Sequence, residues 1–411
     1  MDFDFTEDQK LFRDSFRELL DKEFAPIVDE RDKKGSFTKE EAVGYFKKLK
    51  TVGVSFAPDD MMELLRDITI SGIVAEEMGY VWPSLASCFF MNFFAPIMVL
   101  ASDEIRDKFL PTLNRGELLC CNGITEPNSG SDQSVIQTKA VLDGDEYVIN
   151  GQKTWITNAP IADLCNLYAI DGETGRPAFF LVDREASPYQ TTELHKIGER
   201  NVPTGELFFD DCRIPKENNL MVNAMKRISE AGGDISKIMG EDVELPASML
   251  NMFTGFSSIG AMFSLPRAWM ALRSARISQA ALDASIKYAK ERVQFDKPIG
   301  KTQLIQEMLF NMTVATESSR FFGYRALNLF SKGDVDARKA SSLAKGYACE
   351  SAVRVTYDAI QIHGGNGLSE DYPLERYFRD ARMLTIPDGT TEIQKLVVGR
   401  EIMGKGMSAY R

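Results

Sequence analysis

A chain of 411 residues, 44% of them hydrophobic, can bury a sizeable core and is long enough for two or three domains. Its formal charge of -12 argues against nucleic acid as a partner, because no run of Lys and Arg interrupts the acidic balance. Six scattered cysteines without a C-x-x-C pair read as reduced, mainly buried thiols of a cytoplasmic protein, and two histidines leave little material for a histidine-rich metal site or a Ser-His-Asp triad.

The first segment is acidic and lacks the order of a signal peptide, so no export is expected. Thr6 with Gln9 and Thr38 with Glu41 have capping-box spacing, and Leu11, Phe12, Phe16, Leu19 and Leu20 recur at helical intervals as core positions. The uncharged run 80–102 has the length of a membrane span, but Pro83, Ser84, Ser87, Asn92 and Pro96 interrupt it. It reads as buried core helix broken at the prolines, so no membrane span is expected. Residues 1–121 form the first, helical block.

The period then changes over 122–222. Segments 138–149 and 154–157 are β-branched and aromatic, with Asn150-Gly151 predicted as a hairpin turn between them and Asp143-Gly144-Asp145 as another. Strand patterns continue at 166–170, 178–182 and 206–209. A Gly-, Met- and acid-rich stretch over 223–262 reads as an inserted loop with a short helix. Helical periodicity returns over 263–411, with long segments at 267–292, 302–331 and 337–362. This order predicts an α+β fold with an N-terminal helical domain, a middle β-sheet domain and a C-terminal helical bundle, not a parallel βαβ sheet.

Generic nucleotide motifs fail. Gly300-Lys301-Thr302 ends like a P-loop, but Phe295 stands where its first glycine is required, so it reads as a helix-start turn. Gly365-Asn366-Gly367 lacks the third glycine of a dinucleotide fingerprint and follows a helix.

Four more specific blocks stand in order: Thr125-Glu126-Pro127 with Gly130-Ser131-Asp132; Trp155-Ile156-Thr157-Asn158; Arg292-Val293-Gln294-Phe295 with Pro298 and Gln303; and Gln361 to Gly367 followed by Ile386-Pro387-Asp388-Gly389-Thr390-Thr391-Glu392. Together they resemble the signatures of the acyl-CoA dehydrogenases across nearly the whole chain. One departure matters: Asp388, one methylene shorter, stands where that family most commonly has glutamate.

The resemblance implies non-covalent FAD and α,β-dehydrogenation of an acyl-CoA, with Asp388 as the base that removes the α proton. A helix N-cap is the competing reading of Asp388. Leu265 and Pro266, at the alternative base location near Arg267, cannot serve. The resemblance further implies that Thr125 and Thr157 hydrogen-bond the isoalloxazine and that Trp155 covers its face away from substrate. Arg292, Gln303, Gln361, Gly364, Gly365, Thr390 and Glu392 match positions around the FAD pyrophosphate, partly given by a neighbouring subunit of a homotetramer. Ser131 matches a cofactor and CoA position, and Arg267 and Gly389 match the CoA side. Glu375, Arg376, Arg379 and Asp380 read instead as a structural ion network. An electron-transfer flavoprotein is the implied electron acceptor. The 223–262 insertion is either a lid over the CoA mouth or an inert surface addition.

Aromatic crowding over 84–96 and the shortened base point to a bulky or cyclic acyl group such as cyclohexanecarboxyl. Open beside this are 1,4-type dehydrogenation of a cyclohexene-carboxyl group, aryl-substituted or short branched acyl groups, an acyl-CoA oxidase, and a lapsed module that binds flavin or CoA without turnover.

Overall fold

The computed structural model describes residues 4–99, 101–232 and 263–404. The N-terminal domain comprises α1 (Glu7–Glu23), α2 (Val28–Lys33), α3 (Lys39–Lys50), α4 (Pro58–Arg66), α5 (Ile68–Val81), α6 (Pro83–Phe90), α7 (Ala95–Met98) and α8 (Asp103–Asn114). Both predicted capping boxes form, at the starts of α1 and α3. Phe16 and Leu20 are buried, whereas Leu11 is 69% exposed, so the core stripe of α1 is narrower than its apolar spacing implies.

The run 80–102 folds as expected into buried pieces punctuated by proline: α5 ends, α6 starts at Pro83, a 3₁₀ turn covers Met91–Phe94, and α7 has Pro96 in its first turn. Among the described residues no helix is long and apolar enough to cross a membrane.

The middle domain is a seven-stranded sheet of β1 (Cys120–Gly123), β2 (Lys139–Asp143), β3 (Glu146–Thr157), β4 (Leu164–Asp171), β5 (Pro177–Asp183), β6 (Gln190–Glu193) and β7 (Thr204–Pro215). β1 and β2 pair in succession along one edge of β4, with β5 along the other. The sheet continues from β2 through β3 and β7 to β6. The predicted hairpin at Asn150-Gly151 is corrected here. The turn lies at Gly144 and Asp145, and Asn150-Gly151 is inside β3, where the register with β7 shifts between Ile149 and Gly151. Gly151 serves close approach instead: a Cβ there would lie 2.4 Å from Thr138 Oγ1.

After α9 (Leu220–Glu230) the rest of the insertion, 233–262, lies outside the described residues. The C-terminal domain is built on three long helices, α10 (Ser264–Glu291), α11 (Gln303–Ser331) and α12 (Ala337–His363), followed by α13 (Leu374–Leu384) and α14 (Thr391–Met403). A small ribbon of β8 (Val293–Gln294) and β9 (Lys297–Pro298) joins α10 to α11, and the Gly300 turn precedes a helix as predicted. α10 packs on α11, on α12 and, across the domain boundary, on α5.

Ion pairs lock the domains together. Arg376 reaches Asp29 at 2.8 Å, and Arg379 bridges Asp32 at 2.7 Å and Glu375 at 2.6 Å, so three of the four residues read as an ion network make ion pairs, whereas Asp380 accepts from the Glu199 N–H and makes none among the described residues. The six cysteines are buried and free.

Candidate active site

Two loops carry the signature residues, and each is pinned by a buried cation. On the sheet side, the Thr154 N–H donates to Thr125 O at 2.9 Å, joining the first two signature blocks. The Glu126 carboxylate accepts from the N–H groups of Gln137 at 2.7 Å and Thr138 at 3.0 Å. It also accepts from Lys153 Nζ at 2.7 Å, which donates in turn to Ile124 O. Burial opposes charge on both partners: it pulls the Lys153 pKa below its ordinary value despite Glu126, whereas at Glu126 the hydrogen bonds overcome burial and hold the carboxyl low.

Immediately after Lys153 the β3–β7 register shifts again, and Trp155 takes φ 59°. A bulky residue in the left-handed region costs on the order of 1–3 kcal/mol, a strain that tends to sit where function needs it. Here it turns the indole outward, 58% exposed, while Ile156 is buried and Thr157 stays partly open. Asn158, also at positive φ, anchors the segment by donating from Nδ2 to Cys88 O at 3.0 Å. Ser131 is exposed on the loop after Thr125.

On the helical side, residues 385–390 link α13 to α14. Asp388 has φ 54° and Gly389 φ 93°. A Cβ on Gly389 would lie 2.7 Å from Gln394 Nε2, so glycine is required for both its dihedral and its space. Backbone carbonyls hold this loop: Arg267 Nε donates to Asp388 O at 3.0 Å, Gln394 Nε2 to Asp388 O at 3.0 Å and Gly389 O at 2.8 Å, and Lys345 Nζ to Thr385 O at 3.0 Å and Gly389 O at 2.8 Å.

The helix cap expected as the alternative role of Asp388 belongs to Thr390, whose hydroxyl accepts from Ile393 N–H. No hydrogen bond among the described residues reaches the Asp388 carboxylate oxygens. The residue keeps partial solvent access, yet burial pushes its carboxyl above the ordinary range against the pull of Arg267, Lys345 and Arg273. A carboxylate so placed is a stronger base than an exposed aspartate and keeps its lone pairs open to a proton.

The remaining residues fall in two places. Thr390 and Glu392 open α14 beside Asp388. Arg292, Gln303, Gln361, Gly364 and Gly365 gather, all exposed, where α10 ends, α11 begins and α12 ends, around Tyr288 stacked on His363 at 4.2 Å. Arg267 and Arg292 lie at opposite ends of α10, so at 1.5 Å rise per residue this group is roughly 37 Å from the Asp388 loop.

The aromatic segment packs against α10 next to Arg267. Phe90, partly open, lies on Trp269 at 4.7 Å between centroids, and Phe93 meets its edge at 4.9 Å. Trp269 Nε1 donates to Ser71 Oγ, and the apolar cavity behind these rings has about 10 Å³ of free space. Met91 approaches β1, its Sδ 3.0 Å from Asn122 Nδ2.

Lys345, Gln394, the Lys153–Glu126 pair and Arg273 were missed in the sequence. A lysine or arginine within an apolar helical stripe, as at 345 and 273, is the signal that could have found them.

Fold and site define a three-domain protein whose carboxylate loop is held by α10, α12 and α14 of the C-terminal domain. Residues 6–117 match the acyl-CoA dehydrogenase N-terminal domain, 121–212 the middle domain and 254–403 the C-terminal domain. The chain is 32% identical to 3-(aryl)acrylate reductase of Clostridium sporogenes, over 97% of this chain and 99% of that one. It is also 32% identical to cyclohex-1-ene-1-carbonyl-CoA dehydrogenase of Geobacter metallireducens, over 97% and 98%. The solved butyryl-CoA dehydrogenase of Megasphaera elsdenii superposes with a TM-score of 0.81 at 30% identity, covering 98% of this chain and 100% of that one. The protein belongs to the acyl-CoA dehydrogenase family and is an oxidoreductase of CoA thioesters.

Proposed function

We propose that the protein binds FAD and dehydrogenates a ring-bearing acyl-CoA between its α and β carbons, with Asp388 as the base. The observation that carries this reading is the Asp388 carboxylate, held on a strained loop beside two cations, raised in pKa and not engaged by any hydrogen bond among the described residues. When bound, FAD supplies the acceptor for the β hydride.

The sheet residues fit such a group. An indole more than half exposed on a strained bulge is costly unless something covers it, and Thr125 and Thr157 stand on the same two pinned segments as donors. Trp155 shields, Thr390 and Glu392 face the cofactor from the start of α14, and Ser131, Arg267 and Gly389 serve the CoA side.

Arg292, Gln303, Gln361, Gly364 and Gly365 are too far from Asp388 to surround the same reacting ring, so they serve the pyrophosphate of a second copy in a homotetramer. Phe295 at 91% exposure and Leu304, Phe310 and Phe321 along α11 give that assembly an apolar face. Sedimentation of the holoprotein gives a tetramer on this reading; a monomer retaining a full complement of FAD overturns the shared site. An electron-transfer flavoprotein takes the electrons, and rapid peroxide formation in air at the rate seen with an artificial acceptor overturns that.

The acyl group is cyclic, of the cyclohexanecarboxyl class. A base one methylene short leaves room at the α carbon, Phe90 and Trp269 put aromatic surface on α10 near Arg267, and relatives are named for cyclohexene and aryl acids. A panel of CoA thioesters of matched carbon number tests this by flavin bleaching. Cyclic thioesters are expected to bleach fastest; faster bleaching by butyryl- or octanoyl-CoA defeats the assignment, and bleaching by none defeats the activity.

A further inference from the structure

The Asp388 loop is held by a lysine that makes no ion pair with a carboxylate among the described residues. Lys345 on α12 is fully buried, and its ammonium donates to Thr385 O at 3.0 Å and Gly389 O at 2.8 Å, the carbonyls just outside the two ends of the segment 386–388. Burying a lysine is expensive, and two neutral carbonyls are a weak return for it if a neutral donor would do. Gln394 shows that a neutral donor does serve the same loop, on Asp388 O and Gly389 O. What distinguishes Lys345 is its charge.

We propose, resting on the reading of Asp388 as the base, that Lys345 is a positioning residue for it: the buried ammonium staples both ends of the loop and supplies the positive potential that keeps the carboxylate ionised at working pH. The groups facing Asp388 from the packed elements are Arg267 and Arg273 on α10 and Lys345 on α12. Those facing Lys345 are Cys349 on its own helix, Asp388, Arg267 and, from α14, Glu392. Glu392 is exposed and its charge screened by solvent, and the Cys349 thiol is held neutral by burial. Lys345 and Arg267 therefore dominate the field at the base. Arg267 also lies in the expected CoA site, which leaves Lys345 as the one of the two that a bound substrate does not engage.

Lys345→Gln keeps amide donors near the two carbonyls and removes the charge, whereas Lys345→Arg keeps the charge. In protein labelled with carbon-13 at aspartate carboxyls, with Asp388 identified by its loss in Asp388→Asn, the Asp388 titration moves up by about one unit in Lys345→Gln and stays in place in Lys345→Arg. With a thioester that bleaches the wild-type flavin, the acid limb of the reduction rate moves by the same amount, a loss of about tenfold on that limb with little change in KM. An unmoved titration in Lys345→Gln overturns the proposal whatever its melting temperature. If that variant does not fold, Lys345→Arg decides alone: an unmoved titration with preserved rate supports the proposal, and a shifted one overturns it. If neither variant folds, Lys345 serves stability only and the proposal falls. A wild-type flavin that no thioester bleaches defeats the proposed activity, while the carboxyl titration still judges Lys345.

Discussion

Two arginines six residues apart on α10 each meet a loop carrying a carboxylate, and the two sites differ in what the carboxylate is left to do. Arg273 donates to Glu199 Oε1 at 2.6 Å, to Pro83 O at 3.2 Å and to Ser87 Oγ, while the Glu199 N–H donates to Asp380. Glu199 and Asp380 are wholly enclosed between the three domains, where burial raises both carboxyls. Arg267 instead holds the backbone of Asp388 and leaves its side chain without a hydrogen bond among the described residues. Burial raises all three carboxyls, so a raised pKa does not identify a base. Partial solvent access does, since Glu199 also has an unpartnered oxygen, Oε2, but no opening to solvent.

The sharpest way to break this contrast is Asp388→Asn. Retained cofactor and ligand binding with a loss of roughly 10²- to 10⁴-fold in flavin reduction is expected, as for a positioned general base. Turnover near wild type moves the base elsewhere. Stability should change little, because the carboxylate makes no hydrogen bond to lose. Arg273→Met is the reverse experiment. It leaves Glu199 buried without its main partner, and removing one member of a buried pair costs about 3–5 kcal/mol, read from denaturant midpoints. A loss below about 1 kcal/mol would show that water or Lys196, a buried lysine whose charge also acts on Glu199, replaces the arginine, and that this cluster is not the lock its enclosure implies.

The sequence showed the helix–sheet–helix order because the hydrophobic period itself changes, and it showed the capping boxes because both partners are local. It misread Asn150-Gly151, since the dipeptide that favours a hairpin also suits a strand bulge, and only the pairing with β7 and the closeness of Thr138 decide between them. Asp388, Trp155 and Thr157 could be named as candidates because motif residues travel with their neighbours. The Lys153–Glu126 pair and Lys345 were not. Their partners are 27 residues away for Lys153 and 40 and 44 away for Lys345, so the apolar helical stripe around Lys345 marks it as buried without naming what it holds, and Lys153 has not even that local mark.

The finest distinction concerns Asp380 and pH. Burial pushes its carboxyl from an ordinary 3.8 to about 7, against Arg376 and the Glu199 N–H. Its pKa is higher in the folded state than in the unfolded chain, so the folded protein binds the proton more tightly. The stability this contributes is full below about pH 4, declines as pH rises, and is lost once pH passes through about 7. Asp380→Asn keeps an oxygen to accept the Glu199 N–H and abolishes the titration. The melting temperature of the variant should therefore depend less on pH between about 4 and 7 than that of the wild type, and at pH 8 it should match or exceed it. Glu199 also has a raised pKa, so part of the slope will persist. An unchanged slope together with a lower melting temperature at pH 8 would mean that Asp380 is ionised throughout as the partner of Arg376. In that case the cluster would be a plain ion network, and Asp388 would stand apart from Asp380 in protonation as well as in access.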